Sequence, residues 1–377
     1  MVEVALRPSS SKGWLLEWQR GIDWPIFIAA TILLGVGLML SLAAGPPASA
    51  RLGYEDAFYF VKRHAVFAGA AFIVLFVVSF LDRVWARRLA ALVFVGSLAL
   101  LAFILVAGYE AKGAQRWIRF AGFSLQPSEF VKPALIVLTG WLLAQRALYP
   151  KGPWAAITLV FFIVTLGFLL LQPDVGQSAL LAAAFVVTFF VSGLPWRWAA
   201  VFAGGGVALS SLLYIALPHV RFRVNSFINP TDYDTYQIDK ASEAIARGGL
   251  FGVGPGEGKI KTALPDAHTD FIYAVMGEEF GYIAAVIVIF IFGFIVWKGL
   301  RVAARLHDPY PRAAASGLFA LFGLQAAINI GVNVSLIPPK GMTLPFISSG
   351  GSSMMGTALT LGLALALIRR GSTSWKG

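Results

Sequence analysis

The chain has 377 residues, 58% of them hydrophobic and 13% charged, with a mean hydropathy of +0.75 and a formal net charge of +11. That much apolar side chain, with charges confined between long apolar runs, excludes a soluble domain and predicts an all-α polytopic membrane protein. The lack of cysteine excludes disulfides, thiolate catalysis and cysteine metal sites, while Lys and Arg scattered over short loops, with no basic stripe, exclude a nucleic-acid partner.

Residues 1–23 read as a polar N-terminal tail without a cleavable signal, bearing an amphipathic patch at Trp14, Leu15, Leu16 and Trp18. Ten transmembrane helices follow in a membrane domain spanning 24–369. They are expected at about 24–44, 64–81, 88–108, 128–146, 154–171, 176–193, 198–217, 271–299, 313–334 and 352–369. Residues 370–377 form a short C-terminal tail. Ten spans place both termini on one side. Arg83, Arg87, Arg88, Arg146, Lys151, Arg197, Lys298, Arg301, Arg305 and Arg312 fall on that side and make it cytoplasmic. The segment 218–270, between the seventh and eighth helices, then faces outward as one large loop.

The candidate functional residues lie at outer span ends. Lys112 to Trp117 is an outward loop with two cations, Lys112 and Arg116, beside an interfacial Trp; it reads as an aromatic anchor or as a clamp for a lipid-linked phosphate. Gln126-Pro127-Ser128-Glu129 and Gln172-Pro173-Asp174 each open a span and place an acid at a helix N-terminus, where its charge is favoured. Glu129 and Lys132 are neighbours on one helix face inside the membrane boundary and are expected to pair with each other or with an adjacent span.

Within the large loop, Tyr236 to Arg247 has the periodicity of an amphipathic helix, expected to lie on the outer membrane surface. The run Gly252, Gly254, Gly256 and Gly258 leads to Lys259 and Lys261. It satisfies neither nucleotide-loop pattern, because Val253 and Ile260 stand where a phosphate loop needs Gly and Ser or Thr, and Glu257 and Lys259 stand where a dinucleotide loop needs its third Gly. It reads as a turn-rich connector or as a mobile flap carrying two lysines to an anion.

Leu264-Pro265-Asp266-Ala267-His268-Thr269-Asp270-Phe271 then packs two carboxylates, an imidazole and a hydroxyl against the next apolar helix, and such groups at a membrane boundary are functional candidates by default. His268-x-Asp270 supplies too few ligands for a protein-only metal site, although a divalent ion travelling with a phosphate substrate fits. Asp270 is the better base, next to a helix N-terminus and flanked by Phe271, Ile272 and Tyr273; helix capping by Thr269 or Asp270 is the bland alternative. Glu278 and Glu279 lie two turns on, and a structural polar pair accounts for at least one of them. Finally, Pro338 to Ser353, with Lys340, Ser349 and Ser352, is an irregular loop re-entering the last span. Such backbone is tolerated at membrane depth only inside protein or beside a wet cavity, so it is expected to line one cavity with Asp270.

Taken in order, Lys112–Trp117, Gln126–Lys132, Gln172–Gly176, the glycine run, Leu264–Phe271 with Gly277-Glu278-Glu279, and Lys340–Ser353 resemble the SEDS family (shape, elongation, division and sporulation) over nearly the whole chain. The division-type members are the nearer match, through Lys340–Pro345 and Ala274–Glu279. Ser349 and Pro339 depart from the family pattern. The resemblance implies a ten-helix peptidoglycan glycosyltransferase of the bacterial inner membrane, polymerising lipid II at the septum, with the essential aspartate at Asp270. It implies a class B penicillin-binding protein (a transpeptidase) and other division proteins as partners, alongside membrane lipids. The departing pyrophosphate would meet Lys112, Arg116, Lys259, Lys261 or Lys340, or a divalent cation (Mg or Mn); Glu129, Lys132, Asp174, His268 and Ser352 complete the candidate substrate site. A lipid II flippase, an elongation-type polymerase and a structural scaffold stand as alternatives, because broken polar spans suit transporters too.

Overall fold

The computed structural model describes residues 11–107, 109–111, 114–120, 123–229, 236–339 and 341–370. Ten long helices stand where the apolar runs predict them: α2 (Trp24–Arg51), α3 (Tyr59–Ser79), α4 (Arg83–Ala107), α5 (Ser128–Ala144), α6 (Trp154–Leu171), α7 (Val175–Val191), α8 (Arg197–Ala216), α12 (Ile272–Ala304), α13 (Pro309–Asn333) and α14 (Gly351–Ile368). Among the described residues, eight of these are long and apolar enough to cross a membrane. α5 and α7, at 17 residues each, are shorter, and α5 also carries Glu129 and Lys132.

The bundle is built around α5, α13 and α14, which are buried along most of their length. Glycines permit the closest approaches. A Cβ on Gly140 would sit 2.7 Å from the Ala314 nitrogen of α13, and one on Gly356 2.7 Å from the Glu129 carbonyl of α5. Small residues at such crossings let backbones meet in lipid, where apolarity alone does not drive helices together.

Both described chain ends lie at one end of the bundle. Residues 1–23 read from sequence as a tail, yet Ser11–Gly21 form helix α1 and this helix docks. Trp18 is buried, stacks on Phe80 at 4.5 Å and donates its indole N–H to Ser79 Oγ. Arg370 N–H donates to the Gly21 carbonyl, and Lys298 pairs with Asp23 at 2.8 Å, so the segments that sequence assigns to the cytoplasm converge there.

At the opposite end the structure adds elements the periodicity does not announce. Residues between α4 and α5 form an antiparallel three-stranded sheet, β1 (Tyr109–Ala111), β2 (Ala114–Phe120) and β3 (Phe123–Leu125), with β2 in the middle. The 218–270 segment is largely helical: α9 (Pro218–Ile228), α10 (Tyr236–Gly248) and the single turn α11 (Ile260–Ala263). α10 does not simply float on the membrane surface. It buries Ala241, Ala244 and Gly248 against the start of α12, with the Gly248 Cα facing the Gly277 carbonyl.

α12 is not one continuous span. At Gly281, φ is +77° and ψ −177°, a conformation open essentially only to glycine, so a short buried helix, Ile272–Phe280, precedes the long membrane helix. The glycine run repairs that break. Val253 and Gly254 N–H groups donate to the Glu278 and Glu279 carbonyls, and Tyr282 and Ile283 N–H groups donate to the Gly249 and Leu250 carbonyls. A Cβ on Gly252 would lie 2.1 Å from the Glu279 carbonyl. The run is thus a backbone splint across a broken helix rather than a flap. Broken backbone groups at this depth need partners, and here the chain itself supplies them.

Candidate active site

The segment bearing Asp270 is knitted into the end of the bundle. Arg51 donates to the Leu264 carbonyl at 2.7 Å, fixing its start, and Phe60 packs its ring 4.5 Å from that of His268. Asp266 adopts φ +52° and its carbonyl accepts from the Thr269 and Phe271 N–H groups. Thr269 Oγ1 also donates to that carbonyl, and the cap position of α12 is Phe271 with no side-chain cap bond. The cap position itself thus falls to Phe271 rather than to Thr269 or Asp270.

The re-entrant loop is sewn to this segment. Ser349 N–H donates to the His268 carbonyl at 2.9 Å, and Ser348 Oγ donates to the Thr269 carbonyl at 2.6 Å. From α13, Asn329 and Asn333 each donate to the Asp270 carbonyl at 2.9 Å.

These contacts frame a cavity of about 280 Å³ lined by Asp270, Asp266, Thr269, Glu129, Asp174, Arg116 and Gln177, together with Thr343, Ser349 and Ser353. The shared cavity of Asp270 and the 338–353 loop is thus present. Arg116 reaches it from β2. Its Nε and Nη2 donate to the Gln172 and Pro173 carbonyls, and Nη1 lies 3.6 Å from the Asp174 carboxylate. A guanidinium has five N–H donors in a planar fork, so these contacts leave it capacity for a further anion. In the turn before α7, burial pushes the Asp174 carboxyl above the usual carboxylate range, against the opposing pull of Arg116 and Lys132.

Behind the wall, Lys132 is 1% exposed and pairs with Glu129 at 2.9 Å, while Gln177 Nε2 donates to the other Glu129 oxygen at 2.7 Å. Lys132 also donates to Gln177 Oε1, closing a three-residue network. A buried charge pair is tolerable only when further hydrogen bonds support it, and Gln177 bonds both members of this one. The pairing expected for Glu129 and Lys132 is the observed one; Glu129 alone of the two lines the cavity.

Other candidates are placed elsewhere. Lys261 is buried in an ion pair with Glu279, and Lys259 is exposed on the outer surface with its N–H donating to Glu278. Glu278 is wholly structural: its carboxylate accepts the N–H groups of Lys259, Ile260 and Lys261 at 2.7 to 3.0 Å. The His268 ring turns to Phe60 and is not among the lining groups. Ser352 Oγ accepts from Gln126 N–H and donates to the Ser124 carbonyl, bonding β3 to α14, whereas its neighbour Ser353 faces the cavity. Lys112 and Lys340 lie outside the described residues. Among the described lining residues, Arg116 is the cation. Sequence reasoning passes over Gln177 and the two asparagines of α13. Their signal is amide side chains recurring at helical spacing inside otherwise apolar spans, where unpaired polar groups are costly.

Comparison with known proteins places the whole chain. A family model described as cell cycle protein, covering FtsW, RodA and SpoVE, matches residues 24–373. A probable peptidoglycan glycosyltransferase FtsW from Caulobacter vibrioides is 47% identical over 357 residues, covering 94% of this chain and 91% of the relative. Stage V sporulation protein E of Bacillus subtilis is 32% identical, covering 92% and 97%. Among solved structures, a chain of a peptidoglycan synthase complex that coordinates polymerization and crosslinking superposes with a TM-score of 0.76 at 27% identity, covering 92% and 97%. The rod shape determining protein RodA of Thermus thermophilus gives 0.69 at 28%, covering 92% and 96%. With residues 24–373 matched and its polar residues gathered at the end of the bundle away from both described chain ends, the chain belongs to the FtsW, RodA and SpoVE family.

Proposed function

We propose that the protein is a peptidoglycan glycosyltransferase that polymerises lipid II at the outer end of its membrane bundle, with Asp270 as general base. One observation carries the reading: Asp270 shares a cavity with Arg116, Asp174 and Glu129 at the end of the bundle away from both described chain ends. The acceptor sugar hydroxyl gives its proton to the Asp270 carboxylate as its oxygen attacks the anomeric carbon of the donor. The bond from that carbon to the pyrophosphate breaks, undecaprenyl pyrophosphate leaves, and the configuration inverts in one displacement. A positioned base contributes about 10²–10⁴-fold. Arg116, held by two carbonyls with donors to spare, is suited to meet charge on the leaving pyrophosphate.

Among the described residues, no three acidic or imidazole side chains converge to hold a metal ion by themselves. A divalent cation would therefore share its ligands between the cavity carboxylates and the pyrophosphate. The division role, a septal location with both termini cytoplasmic, and a transpeptidase partner of the class B penicillin-binding type are part of this reading. The similarity to FtsW relatives and to a chain of a synthase complex supports them.

The test is polymerisation of labelled lipid II by the purified protein with its transpeptidase, comparing wild type with Asp270→Asn by gel. Glycan ladders from wild type and none from the variant are expected. Full ladders from a folded Asp270→Asn protein would remove Asp270 from the chemistry. Absence of ladders from both, with lipid II crossing liposome membranes, would favour a flippase.

A further inference from the structure

We infer that Asn329 and Asn333, one turn apart on α13, are positioning residues that set the place of Asp270 in the cavity by clamping its main chain. The inference rests on the reading of Asp270 as the base. Both side chains are buried, at 1% and 0% exposure, in a helix long and apolar enough to span the membrane. An amide there is costly unless each of its polar atoms is used. Here they are used, and on the site. Both Nδ2 groups donate to the single carbonyl of Asp270, at 2.9 Å each.

The remaining bonds extend the clamp to the surroundings. Asn329 Nδ2 also donates to the Met342 carbonyl at 2.5 Å, so one side chain registers the Asp270 segment against the re-entrant loop. Asn333 Oδ1 accepts the Ala274 N–H at 3.0 Å, so the second side chain ties the same carbonyl to the first turn of α12. Asn333 Nδ2 further donates to the main-chain carbonyl of Asn329 at 2.9 Å, which ties the second amide to the helix backbone one turn back. Each amide thus has its orientation dictated: turned over, it would set oxygen against carbonyl oxygen. Next to Met342, Gly341 has φ +62°, and a Cβ there would come 3.6 Å from Asp270 Oδ2. The loop that Asn329 registers therefore brings its backbone up to the catalytic carboxylate itself.

A carbonyl held by two donors from a rigid helix fixes the Cα of Asp270, and with it the direction of its side chain. A general base must meet the acceptor hydroxyl within hydrogen-bond reach, and a misplacement of about 1 Å costs on the order of 10²-fold in rate. The asparagines touch no reacting atom in this arrangement; they act through Asp270.

The experiment measures steady-state lipid II polymerisation by the complex with its transpeptidase for Asn329→Leu, Asn333→Leu and the double variant, alongside Asp270→Asn and melting midpoints in detergent. Leucine keeps the volume and removes the donors. The expected result is a kcat lower by about 10–100-fold for each single variant with KM within about twofold, as for other supporting groups around a reactive centre. The double variant is expected to lose much less than the product of the two, because both act on one carbonyl. If either leucine variant fails to fold, Asn329→Ser, which retains a short donor, is expected to recover folding and part of kcat.

Single variants at wild-type kcat, or a loss confined to KM, would overturn the clamp while an inactive Asp270→Asn left the base assignment standing. An active Asp270→Asn would instead overturn the base, and the clamp with it. A fall in rate that merely follows the melting midpoint across all variants would reduce the asparagines to stability alone and likewise overturn the inference.

Discussion

α8 and α14 are both apolar helices of membrane-spanning length, and both are rich in Gly, Ala and Ser. They sit at opposite extremes of the molecule. α14 is buried along nearly its whole length, whereas no residue of α8 is buried. Their glycines show why. A Cβ on Gly356 of α14 would lie 2.7 Å from the Glu129 carbonyl, while Gly204, Gly205 and Gly206 of α8 have nothing within 4 Å. Hydropathy selects the membrane as solvent and is silent about neighbours, because lipid tails are as apolar as another helix. What separates the two is close backbone contact, and the cavity that holds Asp270 is built on the side where that contact is made.

The sharpest way to break this comparison is to enlarge both. Gly356→Leu should cost about 3 kcal/mol or more, since α5 backbone rather than a flexible side chain must move, and folded yield in detergent should collapse. Gly205→Leu should shift the melting midpoint by no more than about 0.5 kcal/mol equivalent. A tolerated Gly356→Leu would mean that α14 is not the fixed axis described here.

Next in size is the splint at the head of α12. Gly281→Ala places a Cβ 2.4 Å from the Gly252 nitrogen in a backbone region that other residues avoid. A loss of about 2 kcal/mol is expected, read by thermal melting. Glu278→Ala leaves three N–H groups at the start of α11 without their acceptor. It should cost about 1–3 kcal/mol and increase proteolysis around residues 255–262 relative to wild type.

The smallest effect is a pH slope. Burial raises the Asp174 carboxyl, so its contribution to stability is fully present below the ordinary carboxylate range and is lost as pH rises through its raised value. Asp174→Asn removes this titration. The variant should gain on wild type in melting midpoint as pH rises across that window, and the difference should be flat above it. A gain on acidification instead would mean that the Arg116 contact outweighs burial.

Much of the site was legible because polar residues inside apolar runs are conspicuous. Glu129 and Lys132 stand out in this way, Asp270, Asp174 and Arg116 stand out at or between the ends of such runs, and the proline- and glycine-broken stretch before Ser353 announces non-helical backbone in or beside a cavity. Less was legible where sequence offers only a residue type. Lys261 and Lys259 read as cations for a pyrophosphate, yet one is held by Glu279 and the other lies outside the cavity lining. Ser352 and Ser353 are indistinguishable in sequence, but helix phase sends the first to β3 and the second to the cavity. The sheet after α4 was missed because its strands are short and a loop rich in polar and interfacial residues has the same composition.

Apolar runs and their flanking cations were enough to determine by themselves that the chain enters a membrane and near which residues its helices begin and end. Those properties follow from transfer between water and lipid, which each segment experiences on its own. The order of packing, the break at Gly281, the closed Glu129–Lys132–Gln177 network and the double clamp on the Asp270 carbonyl were decided only by tertiary structure. Each depends on a donor and an acceptor from distant segments meeting within about 3 Å, a distance that no property of either segment alone contains.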